Sequence, residues 1–464
     1  MRIYNTLSGE KDELERPKGA LKLFVCGPTV YDYIHLGNAL TYVSFDLFAR
    51  YLKSQGFRVF FLENITDIDD KIIQKAEEEK KTPSAIADFY RREFLKDVKA
   101  LGIDTVTRYA SATDFIPEIV KQVNVLLKKG FSYKIEGDGY YFDISKFSDY
   151  GKLSKRTVAQ AEDGVSRIDE SVRKKNKGDF CVWKFYSEDP AEPYWETEIG
   201  RGRPGWHIED TAITEKFFGP QYDIHGGGID LKFPHHEAEI AQQEAASGKI
   251  PFVKIWMHGG LLNVEGKKMS KSLGNFITAR DFLKKYPPQL FRWMVLNHHY
   301  RSPLNYTLEL VEQAKQNIET IKTFLEKLVF VEKKSRASKI SEVAKLTKKA
   351  QTEIDGALDD DFNTPVAIAA FFEFMGEIEK RIWNLSSSDA KLAVSFSLQN
   401  FENLGFSFSG SKIPLKIRLL TQKRELSRAR KQFVQSDDLR KEIHRLGYIL
   451  EDTPYGPFVR KEIK

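Results

Sequence analysis

The sequence has 464 residues, of which 41% are hydrophobic and 30% charged, a composition that is ordinary for a globular protein built from several structural units. Its two cysteines exclude a disulfide framework, and the lack of an apolar run of about 18 residues excludes a membrane-spanning helix. We therefore expect a cytoplasmic protein with no membrane partner.

The first 125 residues predict the start of a doubly wound parallel sheet. A short buried strand at 21–26 is followed by a helix at 38–54, an apolar strand at 57–62 and a helix at 69–80. This order is typical of a Rossmann-like nucleotide-binding domain. The expected fold class is therefore α/β.

A His-x-Gly-x motif occupies the turn between the first strand and its helix. His35, Gly37 and Asn38 stand where a helix N-terminus offers free backbone N–H groups and the positive end of its dipole. His35 and Asn38 can donate hydrogen bonds to phosphate oxygens, and Gly37 lets a ligand approach the backbone. Taken alone, the tetrapeptide is better explained as a simple helix cap.

Residues 126–205 break this rhythm with short β-like pieces and a stretch that bears Pro and Trp. The α/β pattern resumes at Trp206. We interpret residues 126–205 as a module inserted between the two halves of the sheet domain, 1–125 and 206–267.

A second motif, Lys268-Met269-Ser270-Lys271-Ser272, follows more than 200 residues after the first. Two lysines in a loop of small residues can neutralise the negative charge that develops on a leaving pyrophosphate. A lysine-rich loop on its own is usually solvated surface. The paired occurrence of both motifs is far more specific than either one.

The C-terminal third is predicted to be helical and then basic. After about residue 305, apolar residues repeat at helical spacing, as in a bundle whose packing needs no ligand. Residues 412–464 contain 14 Lys and Arg against seven Asp and Glu, and predict two helices and two short strands. This basic tail favours nucleic acid as a partner; a solvated, ion-paired helix surface is the alternative.

The two nucleotide motifs together resemble those of the class I aminoacyl-tRNA synthetases. The resemblance implies that ATP, taken as its Mg²⁺ complex, and an amino acid form an aminoacyl-adenylate, and that the acyl group moves to the 3′ end of tRNA. The residues to which it assigns catalysis or ATP binding are His35, Gly37, Asn38, Lys268, Ser270 and Lys271. The family's first motif usually ends in a second His; Asn38 keeps a hydrogen-bond donor there, and we expect activity to survive.

Further segments are similar to the cysteinyl members of that family. They follow the family's order over essentially the full length, at 26–32, 64–70, 203–209, 225–228, 233–239, 359–365 and 450–454. The resemblance implies ligation of cysteine to tRNA(Cys). The alternatives are a non-catalytic tRNA-binding paralogue, disfavoured by His35, Lys268 and Lys271, and a cysteine ligase with a small-molecule acceptor, disfavoured by the bundle and tail.

The resemblance also implies one Zn²⁺ in the amino-acid pocket, with Cys26, Asp210, His235 and Glu239 as ligands. A metal that binds a thiolate distinguishes cysteine from serine, which has nearly the same shape. His235 and Glu239 stand at i and i+4, on one face of one helix. Asp210 departs from the family, since many members have Cys there. Either the preference for zinc weakens with this harder ligand, or Asp210 does not coordinate. We interpret Cys181 as a packed core thiol.

The remaining expectations concern the cysteine pocket and tRNA. Cys26, Thr66, Trp206 and His225 resemble residues that line the pocket, with core packing as the alternative for Trp206. The insertion resembles an acceptor-end module, the bundle a stem contact and the tail an anticodon-binding domain. The residues that resemble anticodon contacts are Arg428, Phe433, Asp437 and Asp452. A helix N-terminal charge is the alternative for Asp437.

We therefore expect a monomer of six segments. Residues 1–125 and 206–267 form the catalytic domain, and 126–205 the inserted module. Residues 268–315 form the lysine loop and stem contact, 316–405 the helical bundle, and 412–464 the anticodon-binding domain, a small mixed α/β fold.

Overall fold

The computed structural model describes residues 1–156, 173–270, 273–335, 342–408 and 412–462. The chain divides into two compact units. The first comprises Met1–Thr307 with Asp359–Phe362, and the second comprises Leu308–Leu358 with Asn363–Lys464. Among the described residues, no helix combines the length and the apolar character that crossing a membrane requires.

A parallel sheet of five strands forms the centre of the first unit, preceded by a hairpin of β1 (Arg2–Asn5) and β2 (Glu10–Glu13). Its strands are β3 (Leu21–Val25), β4 (Val59–Ile65), β5 (Arg108–Ser111), β10 (Tyr222–Gly228) and β11 (Val253–Gly259). Their order is β11-β10-β3-β4-β5, with every neighbouring pair parallel. Because β3 lies in the middle, the chain winds to both sides, as the predicted α/β class requires. A crevice for ligands opens at such a reversal, here between β3 and β10.

The helices of this unit begin where the sequence supplies caps. Thr82 caps one helix through its side-chain oxygen, with Pro83 in the first turn, and Asp69 caps another. The helices are α1 (Leu36–Ser54), α2 (Asp70–Glu79), α3 (Pro83–Ala100), α4 (Ile116–Lys128), α5 (Ile208–Phe218), α6 (His235–Ser247), α7 (Ala279–Lys285) and α8 (Pro288–Leu296). The predicted strands and helices of residues 21–80 are present, with ends displaced by at most three residues.

A separate antiparallel sheet lies within residues 126–205. Its strands are β6 (Ser132–Ile135), β7 (Gly139–Phe142), β8 (Phe180–Phe185) and β9 (Gly202–Pro204), in that order. Cys181, in β8, is buried against Ile135 and Tyr141, so it is a packed core thiol. A small sheet of β12 (Leu262–Val264), β13 (Lys267–Lys268) and β14 (Leu304–Tyr306) leads into the lysine loop.

The second unit is helical with one terminal hairpin. Its helices are α9 (Leu308–Lys334), α10 (Glu342–Asp359), α11 (Thr364–Glu379), α12 (Ser387–Glu402), α13 (Leu415–Ala429) and α14 (Phe433–Arg445). The hairpin pairs β15 (Tyr448–Thr453) with β16 (Gly456–Lys461). The two helices and two strands predicted for the basic tail are present.

Candidate active site and metal centre

A cleft of about 340 Å³ opens at the carboxyl ends of β3 and β10, where the fold predicts a ligand site. Its walls include residues from the predicted nucleotide, cysteine and metal sets. Those residues are Cys26, His35, Gly37, Asn38, Thr66, Trp206, Asp210, His235 and Lys268. The fold thus brings together side chains that are up to 242 positions apart in the sequence.

The four predicted metal ligands come together, and three of them, Cys26, Asp210 and His235, line this cleft. Cys26 directly follows β3, Asp210 lies in the first turn of α5, and His235 and Glu239 share one face of α6. The His235 Nε2 atom lies 2.8 Å from Asp210 Oδ2 and 3.2 Å from Glu239 Oε1. The Cys26 sulfur lies 3.7 Å from Asp210 Oδ2 and 3.9 Å from Glu239 Oε1. All four side chains are buried, and their donor atoms lie within 4.8 Å of one another.

Two of these ligands are acidic and lack a cationic side chain as a partner. Burial and the carboxylates of Glu239 and Asp210 raise the pKa of the Cys26 thiol, and burial with Asp210 raises the pKa of Glu239. In the described part of the chain, Asp210 and Glu239 form ion pairs with histidines only, and Glu239 Oε2 is buried without a hydrogen-bond partner. Such a set of oxygen, nitrogen and sulfur donors fits a divalent cation.

Two further histidines contact Cys26: His225, which the sequence predicts for the cysteine pocket but not as a metal ligand, and His236, to which sequence reasoning assigns no role. His225 Nε2 and His236 Nε2 lie 3.3 and 3.2 Å from the sulfur, so they form a second donor set with Cys26 and Glu239. Burial lowers the pKa of both histidines well below the usual value, which keeps them neutral. His236 Nδ1 is 2.8 Å from His258 Nε2. For His236, the sequence signal is the doubled histidine at 235–236.

Asn64 connects the strand end that carries Cys26 to Asp210. Its side-chain N–H donates to Asp210 Oδ1, while its Oδ1 accepts from the Gly27 backbone N–H at 2.6 Å. Asp210 Oδ2 is thereby left to face Cys26 and His235. A Cβ at Gly27 would lie 1.8 Å from the Asn64 carbonyl oxygen, so this close approach requires glycine. Asn64 lay in a segment that supported the family resemblance but was assigned no role.

The other predicted pocket residues take three different positions. Trp206 is half-buried, lines the cleft and packs against His235 at 4.8 Å between ring centroids, which disfavours the core-packing alternative. Thr66 lines the cleft and donates its hydroxyl to the buried carboxylate of Glu209. His225 is fully buried behind Cys26, outside the cleft lining, with its Nδ1 2.7 Å from the hydroxyl of Tyr222.

The first nucleotide motif caps helix α1. His35 Nδ1 accepts from the Asn38 backbone N–H at 3.2 Å, and Asn38 Oδ1 accepts from the His35 backbone N–H at 3.3 Å. A Cβ at Gly37 would lie 2.8 Å from the His35 ring, so packing against His35 is a second reason for glycine there. Both side chains also line the cleft, so capping and ligand contact are compatible.

The lysine loop lies beside this motif. Two backbone hydrogen bonds join the segment after the loop to the start of α1. The Leu36 N–H donates to the Ile277 carbonyl at 3.0 Å, and the Ala279 N–H donates to the Ile34 carbonyl at 2.9 Å. Lys268 lines the cleft. Asn275 holds the turn, accepting from the Ser270 N–H at 2.9 Å and donating to the Lys268 carbonyl at 3.2 Å. Ser270 is not among the lining residues, and Lys271 lies outside the described residues.

The predicted anticodon residues all lie in the second unit. Asp452 Oδ1 lies 2.6 Å from Arg428 and 2.7 Å from Arg424, and the latter lowers the pKa of Asp452. Phe433 has 62% of its surface exposed at the start of α14. Asp437 is exposed in the second turn of this helix, beyond the first turn where the helix dipole acts most strongly. This position disfavours the alternative of a helix N-terminal charge.

Two family models match the chain. The model described as tRNA synthetases class I (C) catalytic domain matches residues 14–316, and the DALR domain matches residues 353–409.

Curated relatives match nearly the whole chain. The Cysteine--tRNA ligase of Carboxydothermus hydrogenoformans is 42% identical over 468 aligned residues, which cover 98% of this chain and 99% of the relative. That of Thermoplasma acidophilum is 42% identical over 459 residues, covering 97% and 98%.

Solved structures of related fold are more distant in sequence. Mycobacterium tuberculosis methionyl-tRNA synthetase in complex with methionyl-adenylate has a TM-score of 0.63 at 14% identity, covering 83% of this chain and 90% of that one. The LeuRS of Agrobacterium radiobacter K84, in its ternary complex LeuRS-tRNA-LeuAMS, has a TM-score of 0.64 at 10% identity, covering 84% of each chain. At these identities the likeness concerns the fold alone.

Proposed function

The chain belongs to the cysteine--tRNA ligase family of class I synthetases, and on this premise we propose that it selects cysteine with a Zn²⁺ ion held by Cys26, Asp210, His235 and Glu239. The overall reaction follows from membership. Cysteine reacts with ATP to give cysteinyl-adenylate and pyrophosphate, and the cysteinyl group is transferred to the 3′ end of tRNA(Cys). The near-complete coverage, basic tail included, removes support for a small-molecule acceptor.

One observation carries the metal proposal: the buried carboxylates of Asp210 and Glu239 face the Cys26 thiol with only histidines as ion-pair partners in the described chain. Buried anions are stable when a counter-charge is present, and the orphaned Glu239 Oε2 marks where one is missing. A bound Zn²⁺ would favour the thiolate of cysteine over the hydroxyl of serine. The chain's own part is to bring these four donors together beside the cleft.

Asp210 is the chain's departure from the family pattern, and Asn64 supports it. Because Asn64 occupies Oδ1, the carboxylate offers Oδ2 toward His235 and Cys26. A neighbouring hydrogen bond of this kind orients a metal ligand. Since a carboxylate is a harder donor than a thiolate, we expect weaker discrimination between zinc and other divalent ions than a thiolate would give.

The second donor set, with His225 and His236, is the weaker candidate. Neither histidine lines the cleft, whereas Asp210 and His235 do, and an ion must meet the substrate thiol there. His235→Asn is therefore expected to abolish metal binding, while His236→Asn retains it. Metal content measured by mass spectrometry on both purified variants decides between the sets. Loss of the metal in the His236→Asn variant alone would favour the second donor set.

For ATP, which is used as its Mg²⁺ complex, we propose binding at the N-terminus of α1. His35 and Asn38 cap that helix and line the cleft, so their side chains and the helix dipole meet the phosphates. Lys268 enters the same cleft and stabilises the charge that develops on pyrophosphate. By analogy with the family pattern, Gly37, Ser270 and Lys271 complete this role.

For tRNA we propose a division of labour along the chain. Residues 126–205 contact the acceptor end of the tRNA. Residues 268–315 and the helical bundle at 316–405 contact its stem, and residues 412–464 bind the anticodon. Phe433 offers an exposed ring for base stacking, and Asp437 an exposed carboxylate for base amino groups. Arg428 and Asp452 form one ion pair that presents a donor and an acceptor together. We propose a cytoplasmic monomer.

The test is amino-acid-dependent ATP–pyrophosphate exchange with cysteine and with serine, before and after chelation. We expect exchange with cysteine only, one zinc per chain, loss on chelation and recovery with added Zn²⁺. Cysteine-specific exchange by protein that contains no metal would contradict the metal proposal while leaving the ligase reaction intact.

A further inference from the structure

A loop between β7 and β8 is fastened to the helix that carries two of the proposed metal ligands. The buried carboxylate of Glu237, in α6, accepts hydrogen bonds from the backbone N–H groups of Gly151 (3.0 Å), Leu153 (3.4 Å) and Ser154 (2.7 Å). The Arg156 N–H closes the loop on the Gly151 carbonyl at 3.2 Å. A Cβ at Gly151 would lie 1.7 Å from the Arg156 carbonyl oxygen, so the closure requires glycine. These hydrogen bonds therefore fix the turn formed by residues 151–156.

Residues 151–156 include two cations, Lys155 and Arg156, that lie near a third, Lys232. Lys155 adopts the left-handed conformation, with φ 60°, and donates to the carbonyl of Leu7 at 2.8 Å. The Arg156 guanidinium lies 4.5 Å over the ring of Phe233, which adjoins Lys232. Burial and the nearby charges of Lys155 and Arg156 lower the pKa of Lys232. We call Lys155, Arg156 and Lys232 the Lys155 patch.

In the described ranges, none of the three cations of the Lys155 patch forms an ion pair with Asp or Glu. The charge of Glu237 acts on Lys232, but the carboxylate oxygens of Glu237 accept hydrogen bonds from the loop backbone. By contrast, Lys152 in the same segment forms an ion pair with Glu244. The fold holds three positive charges together although they repel one another. Such a cluster favours the binding of a polyanion. A left-handed non-glycine residue, here Lys155, is a further sign of a functional constraint.

The patch borders the active-site cleft. Lys232 ends the short 3-10 helix Ile229–Lys232, and the preceding residues Asp230 and Leu231 line the cleft. The loop itself belongs to the segment between two strands of the inserted sheet. The patch thus combines two residues of the inserted segment with one that directly follows residues of the cleft lining.

We propose that the Lys155 patch binds phosphates of the single-stranded 3′ end of tRNA and guides it into the cleft. The inference rests on the tRNA ligation of the family and is independent of the zinc proposal. Phosphate contacts by Lys and Arg position a nucleic acid without reading its sequence. The patch therefore contributes to transfer of cysteine and takes no part in its activation.

The test compares the native chain with the triple variant Lys155→Gln, Arg156→Gln, Lys232→Gln. Binding of intact tRNA and of tRNA lacking its last four nucleotides is measured between 50 and 200 mM salt. Each lost single-strand phosphate contact lowers the slope of log affinity against log salt by about 0.7, so three lower it by about 2. The gap in Kd between variant and native protein should then narrow about 16-fold over this range with intact tRNA. With truncated tRNA the two proteins should bind alike.

A charge-matched control removes three ion-paired lysines of the same unit: Lys96→Gln, Lys216→Gln and Lys254→Gln. This control should keep the native slope, and both triple variants should keep native pyrophosphate exchange. An unchanged slope in the patch variant, or an equal loss with truncated tRNA, would overturn the proposal. If the triple variant also loses pyrophosphate exchange, the single variant Lys232→Gln is tested instead, with an expected slope change of about 0.7. An unchanged slope in this variant, or an equal loss with truncated tRNA, would again overturn the proposal.

Discussion

Replacing Asn64 by Ala should weaken metal binding without removing any ligand. The substitution deletes the hydrogen bond to Asp210 Oδ1 and the bond from the Gly27 N–H, one to each side of the metal centre. A hydrogen bond to a charged group contributes about 1.5–3 kcal/mol. Partners of metal ligands typically change metal affinity by about 10- to 100-fold, or roughly 1.4–2.7 kcal/mol. We therefore expect a loss of zinc affinity in this range.

The assay is competition with a chromophoric chelator, in the native background and with Asp210→Cys. A cysteine at 210 has no carboxylate oxygen for Asn64 to hold, so in that background Asn64→Ala removes only the bond to Gly27 and should cost less zinc affinity than in the native background. The difference between the two losses measures the contribution of the bond to Asp210. Equal losses in the two backgrounds would refute the inference that Asn64 acts through Asp210.

Three further outcomes follow from the same contacts. Glu239→Gln should abolish zinc binding yet raise the thermal midpoint of the chelator-treated protein, because a neutral amide replaces a buried carboxyl group that ionises unfavourably next to Asp210; a lower midpoint would contradict this. Lys268→Ala should lower the kcat of pyrophosphate exchange by about 100-fold or more with little change in the KM for cysteine, and a change in that KM alone would argue against a role in leaving-group stabilisation. Burial alone would raise the pKa of Asp46, but Arg292 and Arg50 lower it. The ion pairing of Asp46 therefore stabilises the fold at pH values above the pKa of Asp46 in the unfolded chain. This stabilisation is lost as the pH falls through the pKa of Asp46 in the folded protein. Asp46→Asn should therefore cost about 3–5 kcal/mol in denaturant unfolding at pH 7 and much less in acid, and a pH-independent cost would contradict this account.

Much of the site was accessible to sequence reasoning because it depends on local periodicity. His235 and Glu239 share a face at i and i+4, and His35 and Asn38 occupy the start of a helix that the apolar pattern predicted. Such relations involve a few neighbouring residues and a regular backbone. Their geometry is therefore largely determined once the helix forms.

The contacts that sequence reasoning missed are of a different kind. Asn64 and Asp210 are 146 residues apart, and the loop bonds of Glu237 span more than 80 residues. His236, next to a predicted ligand, lies about 100° further around α6 and contacts Cys26 in a different donor set, together with His225. No local pattern couples such residues, since their proximity depends on how strands and helices pack.

The sequence by itself therefore determined the family, the α/β class and the residues able to carry the chemistry, because motif spacing and helix periodicity are properties of short segments. Only the tertiary structure decided which acids share a buried pocket, that Asn64 holds Asp210, and that Lys155, Arg156 and Lys232 lie near one another with no ion pair to Asp or Glu among the described residues. The physical reason is that burial and electrostatic environment arise from packing between distant segments, where desolvation and Coulomb interactions act over a few ångströms of space and not along the chain.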